Sequence, residues 1–255
     1  MRAAVLGSGS FGTALANTLA VNCAQVRVWG RDAAAVSAIN TRHENPGYLP
    51  GIPLSERVRA TGELSEALDG AELVVLAIPS QATREVMKRT LPWIPQQVPI
   101  VCVSKGIENG SLMTMSQLLE DCLPEAVHPY LAILSGPSFA KELALRMPTV
   151  VTIASRWDKV AQRVQKTLQT ESFRAYTSSD VVGVELGKGR ALKDVLGEMN
   201  QVAEGVKTAK SARDLSEKTG VELPICAQVY AIMYEGKEPK RAVVELMTRT
   251  PKAES

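Results

Sequence analysis

The chain has 255 residues, of which 45% are hydrophobic and 22% charged, a composition typical of a soluble globular protein with one large or two modest domains. A net charge of +2 and an aromatic content of 4% give no support for binding to nucleic acid or to a membrane surface. Four scattered cysteines, no apolar run that could span a bilayer and no signal peptide predict a cytoplasmic protein without a metal site.

Residues 1–20 combine a short strand, a glycine turn and a helix. An apolar run at 3–6 precedes Gly7-Ser8-Gly9-Ser10-Phe11-Gly12, and an Ala- and Leu-rich segment follows without a helix breaker. In this context G-x-G-x-x-G predicts a dinucleotide site. Gly7 permits the tight turn, Gly9 lets the pyrophosphate approach the backbone and Gly12 lets the helix pack closely on the strand. The N–H groups of the first helical turn would face the negative charge of the ligand.

The second strand is predicted at Gln25–Trp29 and ends just before two charged residues, Arg31 and Asp32. In dinucleotide-binding folds an acidic residue near this point binds the ribose of NAD, whereas an arginine accommodates the 2′-phosphate of NADP. Arg31 is therefore a candidate cofactor residue. Asp32 is either a second one or the N-cap of the next helix. The pair leaves both NADPH and NADH open.

Strands and helices alternate as far as about residue 180. The Pro- and Gly-rich segment Asn40–Arg57 is predicted to be a loop. Near-continuous apolar runs predict buried strands at 71–78, 99–104, 130–135 and 149–154, with a short edge strand at 173–177. Helices are predicted at 63–69 and 82–90, with another near Phe139. The alternation predicts an α/β fold with a doubly wound parallel sheet over 1–180, and a small helical domain over 181–255.

Three strand ends are candidates for the functional site, because ligands of such sheets collect outside the carboxyl ends of the strands. They carry Ile78-Pro79-Ser80, Ser104-Lys105-Gly106 and Ser135-Gly136-Pro137-Ser138. Lys105 either meets a phosphate or a substrate beside the nicotinamide, or is an ordinary surface lysine. The segment 136–138 either holds a phosphate or simply caps a helix. Neither of the two histidines is placed for acid–base chemistry, so the proton for a hydride transfer would come from a lysine or a carboxyl group.

These motifs together resemble the bacterial and plastid-type NAD(P)-dependent glycerol-3-phosphate dehydrogenase family. The resemblance covers nearly the whole chain and is carried by Gly7–Gly12, Trp29–Arg31, GYLPGIPL, VSKG, SGPSFAKE, DVVGVELG, QVAEG and the tail ELPICAQVYAIMYEGKEPKRAV. The segment SGPSFAKE at 135–142 is the most specific of them. The resemblance implies a Rossmann-type domain followed by a helical domain. It also implies reduction of dihydroxyacetone phosphate to sn-glycerol 3-phosphate with NADPH or NADH, for phospholipid synthesis.

The resemblance further implies roles for individual residues. Beyond the motif glycines Gly7, Gly9 and Gly12, the implied cofactor contacts are Ser10, Phe11, Arg31, Tyr48, Lys105, Ala140, Val202 and Glu204. The implied contacts to the small phosphorylated three-carbon substrate are Lys105, Gly136 and Ser138.

The chain departs from the family pattern after Gly187. Relatives continue from V-E-L-G into G-A-x-K-N, which carries the catalytic lysine, and later reach S-R-N-R-R, which binds the substrate phosphate. Here Gly187 is followed by KGRALKD, no S-R-N-R occurs, and roughly eighty residues are missing, enough for a small domain. Lys193 resembles the lysine of A-x-K-N and is the one catalytic candidate. In the alternative register, counted back from QVAEG, Lys193 belongs to a surface helix and has no part in the chemistry.

Two functions follow from this departure. The chain is either a working dehydrogenase that uses Lys193 as proton donor, or a truncated or spliced form that binds nucleotide without catalysis. A ketopantoate-reductase-like enzyme is a third alternative, which SGPSFAKE disfavours. Loss of the central helices would expose several hundred Å² of apolar surface at a cost of several kcal/mol, so self-association is expected.

Overall fold

An eight-stranded sheet with helices on its faces forms the main body of the protein. The computed structural model describes residues 1–136, 138–179, 181, 203–221, 223–238, 241–242 and 245. The strands are β1 Arg2–Leu6, β2 Gln25–Trp29, β3 Val58–Thr61, β4 Leu73–Leu76, β5 Ile100–Cys102, β6 Leu131–Ser135, β7 Thr149–Ala154 and β8 Phe173–Ser178. The helices are α1 Ser10–Leu19, α2 Ala33–Arg42, α3 Leu64–Leu68, α4 Ser80–Thr90, α5 Met115–Cys122, α6 Ala140–Ala144, α7 Asp158–Leu168, α8 Ala203–Thr219 and α9 Pro224–Tyr234, with a 3₁₀ helix at Glu125–Tyr130.

The sheet order is β3-β2-β1-β4-β5-β6-β7-β8. The first six strands are parallel, and the chain reverses its direction of progress across the sheet between β1 and β4. This arrangement confirms the predicted doubly wound α/β fold. Ligands bind in such sheets at the point where the strand order reverses, and the glycine turn lies there because it follows β1 directly.

One pair of strands departs from an all-parallel sheet. β7 runs antiparallel to β6, with Leu134 opposite Ile153, and β8 then runs parallel to β7. The connection from Ser135 to Thr149 contains the five-residue helix α6, which packs against α1, and after it the chain returns beside β6 in the opposite direction.

The core follows from the apolar runs of the central strands. All four residues of β4 are buried, as are the last four residues of β1, in agreement with strands covered by helices on both faces. At the edge of the sheet, β8 alternates buried and exposed residues over its first four positions, from the fully buried Phe173 to Tyr176, which is 54% exposed. The sequence-based expectation of an edge strand at this place is confirmed.

Helix α2 occupies part of the segment that was predicted to be loop from Asn40 to Arg57. The helix continues to Arg42 and ends at His43, which adopts the left-handed conformation with φ 52° and ψ 46°. The loop prediction is wrong for residues 40–42, because the left-handed cap at His43, and not the Pro and Gly residues that follow, sets the end of the helix. Helices α5 and α7 were not predicted from the sequence.

Backbone segments approach one another closely around the glycine turn. Gly7 has φ +127°, a region that favours glycine, and a Cβ at Gly7 would lie 2.2 Å from the carbonyl oxygen of Ala77 beyond β4. A Cβ at Gly12 would lie 2.1 Å from the carbonyl oxygen of Gly7. The backbones of strand β1, helix α1 and the residue after β4 are therefore in direct contact, and a side chain at either glycine would force them apart.

Residue contacts divide the chain into two compact units. One comprises Met1–Lys105 and Met115–Lys188, and the other comprises Gly106–Thr114 and Gly189–Ser255. Within the second unit α8 and α9 pack together, and the Arg213 guanidinium lies 5.5 Å from the centre of the Tyr230 ring. The described part of this unit is helical, apart from the short segment at 106–114. The domain boundary expected at residue 180 remains a prediction.

Among the described helices, none is both long and apolar enough to cross a bilayer.

Replacing Gly12 with alanine is expected to lower the free energy of unfolding by about 1–3 kcal/mol, because the new Cβ would collide with the Gly7 carbonyl. Helix propensity alone would act in the opposite direction, by about 1 kcal/mol. Urea unfolding, monitored by circular dichroism, measures the sign of the change in the free energy of unfolding. The matched control is Gly47→Ala, whose Cβ would meet no atom within 4 Å and whose effect should stay within about 0.5 kcal/mol. A stabilised Gly12→Ala protein would contradict the close packing described above.

Candidate functional site

The glycine turn places a row of backbone N–H groups at the reversal point of the sheet. The first helical hydrogen bond of α1 runs from Thr13 N to Gly9 O at 2.9 Å, so the N–H groups of the preceding turn have no acceptor within the helix. Apart from Gly9 and its two chain neighbours, no described residue has a heavy atom within 4 Å of the position that a Cβ of Gly9 would take, and Gly9 has an ordinary φ of −70°. Neither backbone strain nor packing requires glycine here, unlike at Gly7 and Gly12. The open surface at Gly9 therefore fits an anionic group that approaches the backbone from outside.

The side chain of Asn45 forms hydrogen bonds to the buried side of the glycine turn. This residue was not identified from the sequence. Its side chain is fully buried, and Nδ2 donates to the Ser8 carbonyl at 2.9 Å and to Thr13 Oγ1 at 2.8 Å. Its Oδ1 has no hydrogen-bond partner among the described residues. A buried unsatisfied acceptor costs about 1–3 kcal/mol, so Asn45 is not the residue that stability alone would favour. The only hint in the sequence is an Asn before Pro46 in a Pro-rich loop, which equally indicates a turn.

A second contact joins the same loop to the first turn of α1. The hydroxyl of Ser10 donates to the carbonyl of Tyr48 at 2.6 Å, while the Tyr48 side chain is 43% exposed. Phe11 is partly buried and packs against the core. The structure thus places three residues that the resemblance assigned to the cofactor, Ser10, Phe11 and Tyr48, side by side at the glycine turn.

The two charged residues after β2 take different positions. Asp32 is the N-cap of α2, because its Oδ1 accepts from Ala34 N at 2.9 Å and from Ala35 N at 3.3 Å. Of its two sequence-based interpretations, the structure supports the cap. Arg31 is exposed just beyond the strand end, next to Gly30, where it is available to a ligand that lies along the carboxyl edge of the sheet.

The ends of β4, β5 and β6 are linked by side chains from the predicted motifs. The hydroxyl of Ser104 donates to the Ile78 carbonyl, and the ammonium of Lys105 donates to the Gly136 carbonyl at 3.3 Å. Ser138, which is 7% exposed, donates to the same Gly136 oxygen at 3.3 Å. Lys105, Gly136 and Ser138 are therefore brought together as the carboxyl-edge argument predicts.

The residues around position 136 leave room only for glycine. A Cβ there would lie 2.9 Å from the Val150 carbonyl oxygen and 2.9 Å from Val151 Cα, so β7 leaves no room for a side chain. The chain then enters α6, whose first residue is Ala140, and α6 packs against α1. Because α1 follows the glycine turn, Ala140 lies in the helix that packs next to this turn's helix.

Three predicted site residues cannot be located with their side chains. Lys193 and Val202 lie outside the described residues, and Glu204 belongs to the first turn of α8, where the structure describes the backbone only. Within the described parts of the chain, no group of three His, Cys, Asp or Glu side chains is arranged to hold a metal ion.

Two family models match this chain in succession. The model of the NAD-dependent glycerol-3-phosphate dehydrogenase N-terminus matches residues 2–161, and the model of the C-terminus of the same family matches residues 168–244.

Curated relatives extend the match to full length. Glycerol-3-phosphate dehydrogenase [NAD(P)+] of Myxococcus xanthus is 55% identical over 331 aligned positions, which cover 100% of this chain and 99% of the relative. The enzyme of the same name from Anaeromyxobacter sp. strain K is 39% identical, with 100% of both chains covered. Since this chain has 255 residues, an alignment of 331 positions leaves 76 positions without a residue here, in agreement with the predicted internal deletion.

Solved structures agree with the sequence relatives. Glycerol-3-phosphate dehydrogenase of Coxiella burnetii superposes with a TM-score of 0.81 at 25% identity, covering 97% of this chain and 99% of that one. The Plasmodium falciparum glycerol-3-phosphate dehydrogenase has the same fold, with a TM-score of 0.80 at 16% identity, covering 99% and 97% of the two chains. With the N- and C-terminal family models, the full-length relatives and the fold in agreement, the chain belongs to the NAD-dependent glycerol-3-phosphate dehydrogenase family.

Proposed function

We propose that this protein is an oxidoreductase that interconverts dihydroxyacetone phosphate and sn-glycerol 3-phosphate with NADPH or NADH, and that it supplies glycerophospholipid synthesis. The observation that carries the proposal is the convergence of an open glycine turn with Lys105 and the Gly136–Ser138 segment at one edge of the sheet, in a chain of this family. The family assignment favours this function over a ketopantoate-reductase-like enzyme.

The cofactor would lie along the carboxyl edge from Arg31 to Lys105. The N–H groups of the turn after Gly9 would hold the pyrophosphate, and Arg31 would face the adenosine ribose, where its guanidinium also suits the 2′-phosphate of NADPH. Tyr48 and Ala140 would line the cofactor on the two sides of α1. We include Val202 and Glu204 in the cofactor site on the family resemblance alone. A bound reduced nicotinamide supplies the hydride.

The substrate phosphate would bind at Lys105, Gly136 and Ser138. In the structure the ammonium of Lys105 and the hydroxyl of Ser138 both donate to the neutral carbonyl of Gly136. A phosphate oxygen is a stronger acceptor than a carbonyl oxygen, because charge-assisted hydrogen bonds are about twice as strong. Both donors can therefore exchange the carbonyl for the phosphate while they stay in place.

The proton of the reaction needs a separate donor. When the substrate carbonyl carbon accepts a hydride, its oxygen must take up a proton, and a positioned ammonium group can give it. We propose Lys193 for this step, since it is the one candidate that the sequence offers.

Three broader features complete the proposal. The dinucleotide-binding domain would span 1–180 and the shortened helical domain 181–255. We expect a homo-oligomer, which sedimentation velocity measures directly. The cytoplasm is the expected compartment, and no role in nucleic-acid binding is proposed.

The proposed function is tested by oxidation of NADPH and of NADH in the presence of dihydroxyacetone phosphate, with cofactor binding measured in parallel by fluorescence. Turnover that Lys193→Ala abolishes, in a variant that still folds and binds cofactor, is the expected outcome. Cofactor binding without turnover would reject the catalytic function and support the alternative of a truncated nucleotide-binding form. Turnover that survives Lys193→Ala would leave the enzyme assignment intact and reject Lys193 as the donor.

Gly9→Ala should separate binding from folding. We expect the dissociation constant for the cofactor to rise at least tenfold, because the added methyl group would stand where the pyrophosphate approaches. The free energy of unfolding should change by less than about 0.5 kcal/mol, since the Cβ meets no protein atom within 4 Å. Titration of the nicotinamide fluorescence and urea unfolding measure the two quantities. Unchanged affinity would show that the cofactor does not pass over Gly9.

Lys105→Met should lower kcat/KM for dihydroxyacetone phosphate by about 100-fold, equivalent to about 2.7 kcal/mol, because the substrate loses a charged donor. The control is Lys88→Met, which removes an exposed lysine of α4 and should leave kcat/KM unchanged. Equal activity of the two variants would exclude Lys105 from the site.

A further inference from the structure

Asn45 makes its hydrogen bonds to the buried side of the glycine turn. Its Nδ2 donates to the Ser8 carbonyl and to Thr13 Oγ1, and Thr13 Oγ1 itself donates to the Ser8 carbonyl at 3.2 Å. All three atoms belong to buried residues, with Asn45 and Thr13 fully buried and Ser8 7% exposed. The Ser8 carbonyl is therefore held by two donors beneath the turn.

The orientation of the Asn45 amide follows from these partners. A backbone carbonyl can only accept, so the group that faces Ser8 O must be the NH₂ and not Oδ1. Oδ1 then has no partner in the described structure, although it is buried. Position 45 therefore provides the Nδ2 donor to the Ser8 carbonyl. The Oδ1 acceptor of the same amide group stays without a hydrogen bond from the described residues in this orientation.

Holding the Ser8 carbonyl also fixes the direction of the next N–H group. The carbonyl and the N–H of one trans peptide point in opposite directions, and no described peptide bond is cis. With Ser8 O directed toward Asn45, the N–H of Gly9 is directed away from Asn45, and the position of a Cβ at Gly9 is open as well. If this peptide rotated, a carbonyl oxygen would face the anion in place of a donor.

We propose that Asn45 is a positioning residue for the cofactor, which keeps the Ser8–Gly9 peptide turned so that the Gly9 N–H donates to the pyrophosphate. The inference rests on the proposed function and adds to its site a residue that neither the glycine motif nor the family resemblance identified. Asn45 does not touch the cofactor and acts only through the Ser8–Gly9 peptide.

The chain offers a matched control in Asn17. This residue also ties α1 to the loop that contains Asn45, since its Nδ2 donates to the Pro53 carbonyl at 3.2 Å and its Oδ1 accepts from Ser55 N at 2.8 Å. Asn17 lies farther along α1, and the side-chain hydrogen bonds described for it go to Pro53 and Ser55 and not to residues 7–12. A general loss of loop anchoring would therefore appear in variants of both asparagines, whereas a loss of peptide orientation would appear only at Asn45.

The experiment measures binding of NADPH, ADP and adenosine to the full chain and to the variants Asn45→Ala, Asn45→Asp and Asn17→Ala. In the Asn45 variants we expect the dissociation constants of NADPH and ADP to rise at least tenfold and that of adenosine, which has no pyrophosphate, to stay within twofold. In Asn17→Ala all three should stay within twofold. Asn45→Asp has the shape of Asn, and its carboxylate form only accepts hydrogen bonds, so this variant, measured at alkaline pH, decides the question if Asn45→Ala fails to fold.

The amide signal of Gly9 in ¹⁵N-labelled protein provides a second readout, which does not require an affinity measurement. Addition of ADP to the wild type should move this signal downfield, as a new hydrogen bond to phosphate requires, and the shift should be lost in Asn45→Asp. An unmoved Gly9 signal, or equal losses of ADP affinity in the Asn45 and Asn17 variants, would overturn the inference while the proposed function stands. Failure of the wild type to bind NADPH would reject the proposed function itself, and the inference with it.

Discussion

The backbone contact between Gly7, Gly12 and Ala77 is the constraint on which the rest of the site depends. At this point β1 ends, α1 begins and the chain leaves β4 through Ala77. The three segments are so close that neither glycine could carry a Cβ. The contact fixes where α1 starts relative to the sheet, and it therefore fixes where the N–H groups of the first turn point. The positions of the proposed cofactor contacts from Ser10 to Arg31 therefore depend on the contact between Gly7, Gly12 and Ala77.

The strand ends on the other side of the reversal point form a second group around the Gly136 carbonyl. Lys105 follows β5 and Ser138 follows β6, and both donate to the same oxygen. On the other side of Gly136, β7 leaves no room for a side chain. All of these residues belong to the part of the chain matched by the N-terminal family model, at 2–161. The 76 aligned positions without a residue here therefore leave the glycine turn and this cluster in place. The group that we propose from the shortened region is the proton donor.

Sequence reasoning was most successful where a residue is needed for a local reason. The roles of Gly7 and Gly12 follow from a turn and a close approach that the motif itself encodes, and the buried strands follow from apolar runs such as LVVL in β4. It was wrong about residues 40–42, where a left-handed cap at His43 extends α2, and it gave no warning of the antiparallel β7. Both depend on where the chain turns in space, and neither has a periodic signal.

The sequence by itself determined the doubly wound fold, the glycine turn and the family, because strand periodicity, glycine spacing and short motifs are read within a few residues of one another. Only the tertiary structure decided that Asp32 is a helix cap, that Lys105 and Ser138 share the Gly136 carbonyl, and that Asn45 supports Ser8 from a distant loop. Each of these is a hydrogen bond whose partner depends on the folded path of the backbone. Hydrogen bonds require their atoms within about 3 Å and in the right direction, and a one-dimensional pattern does not specify either.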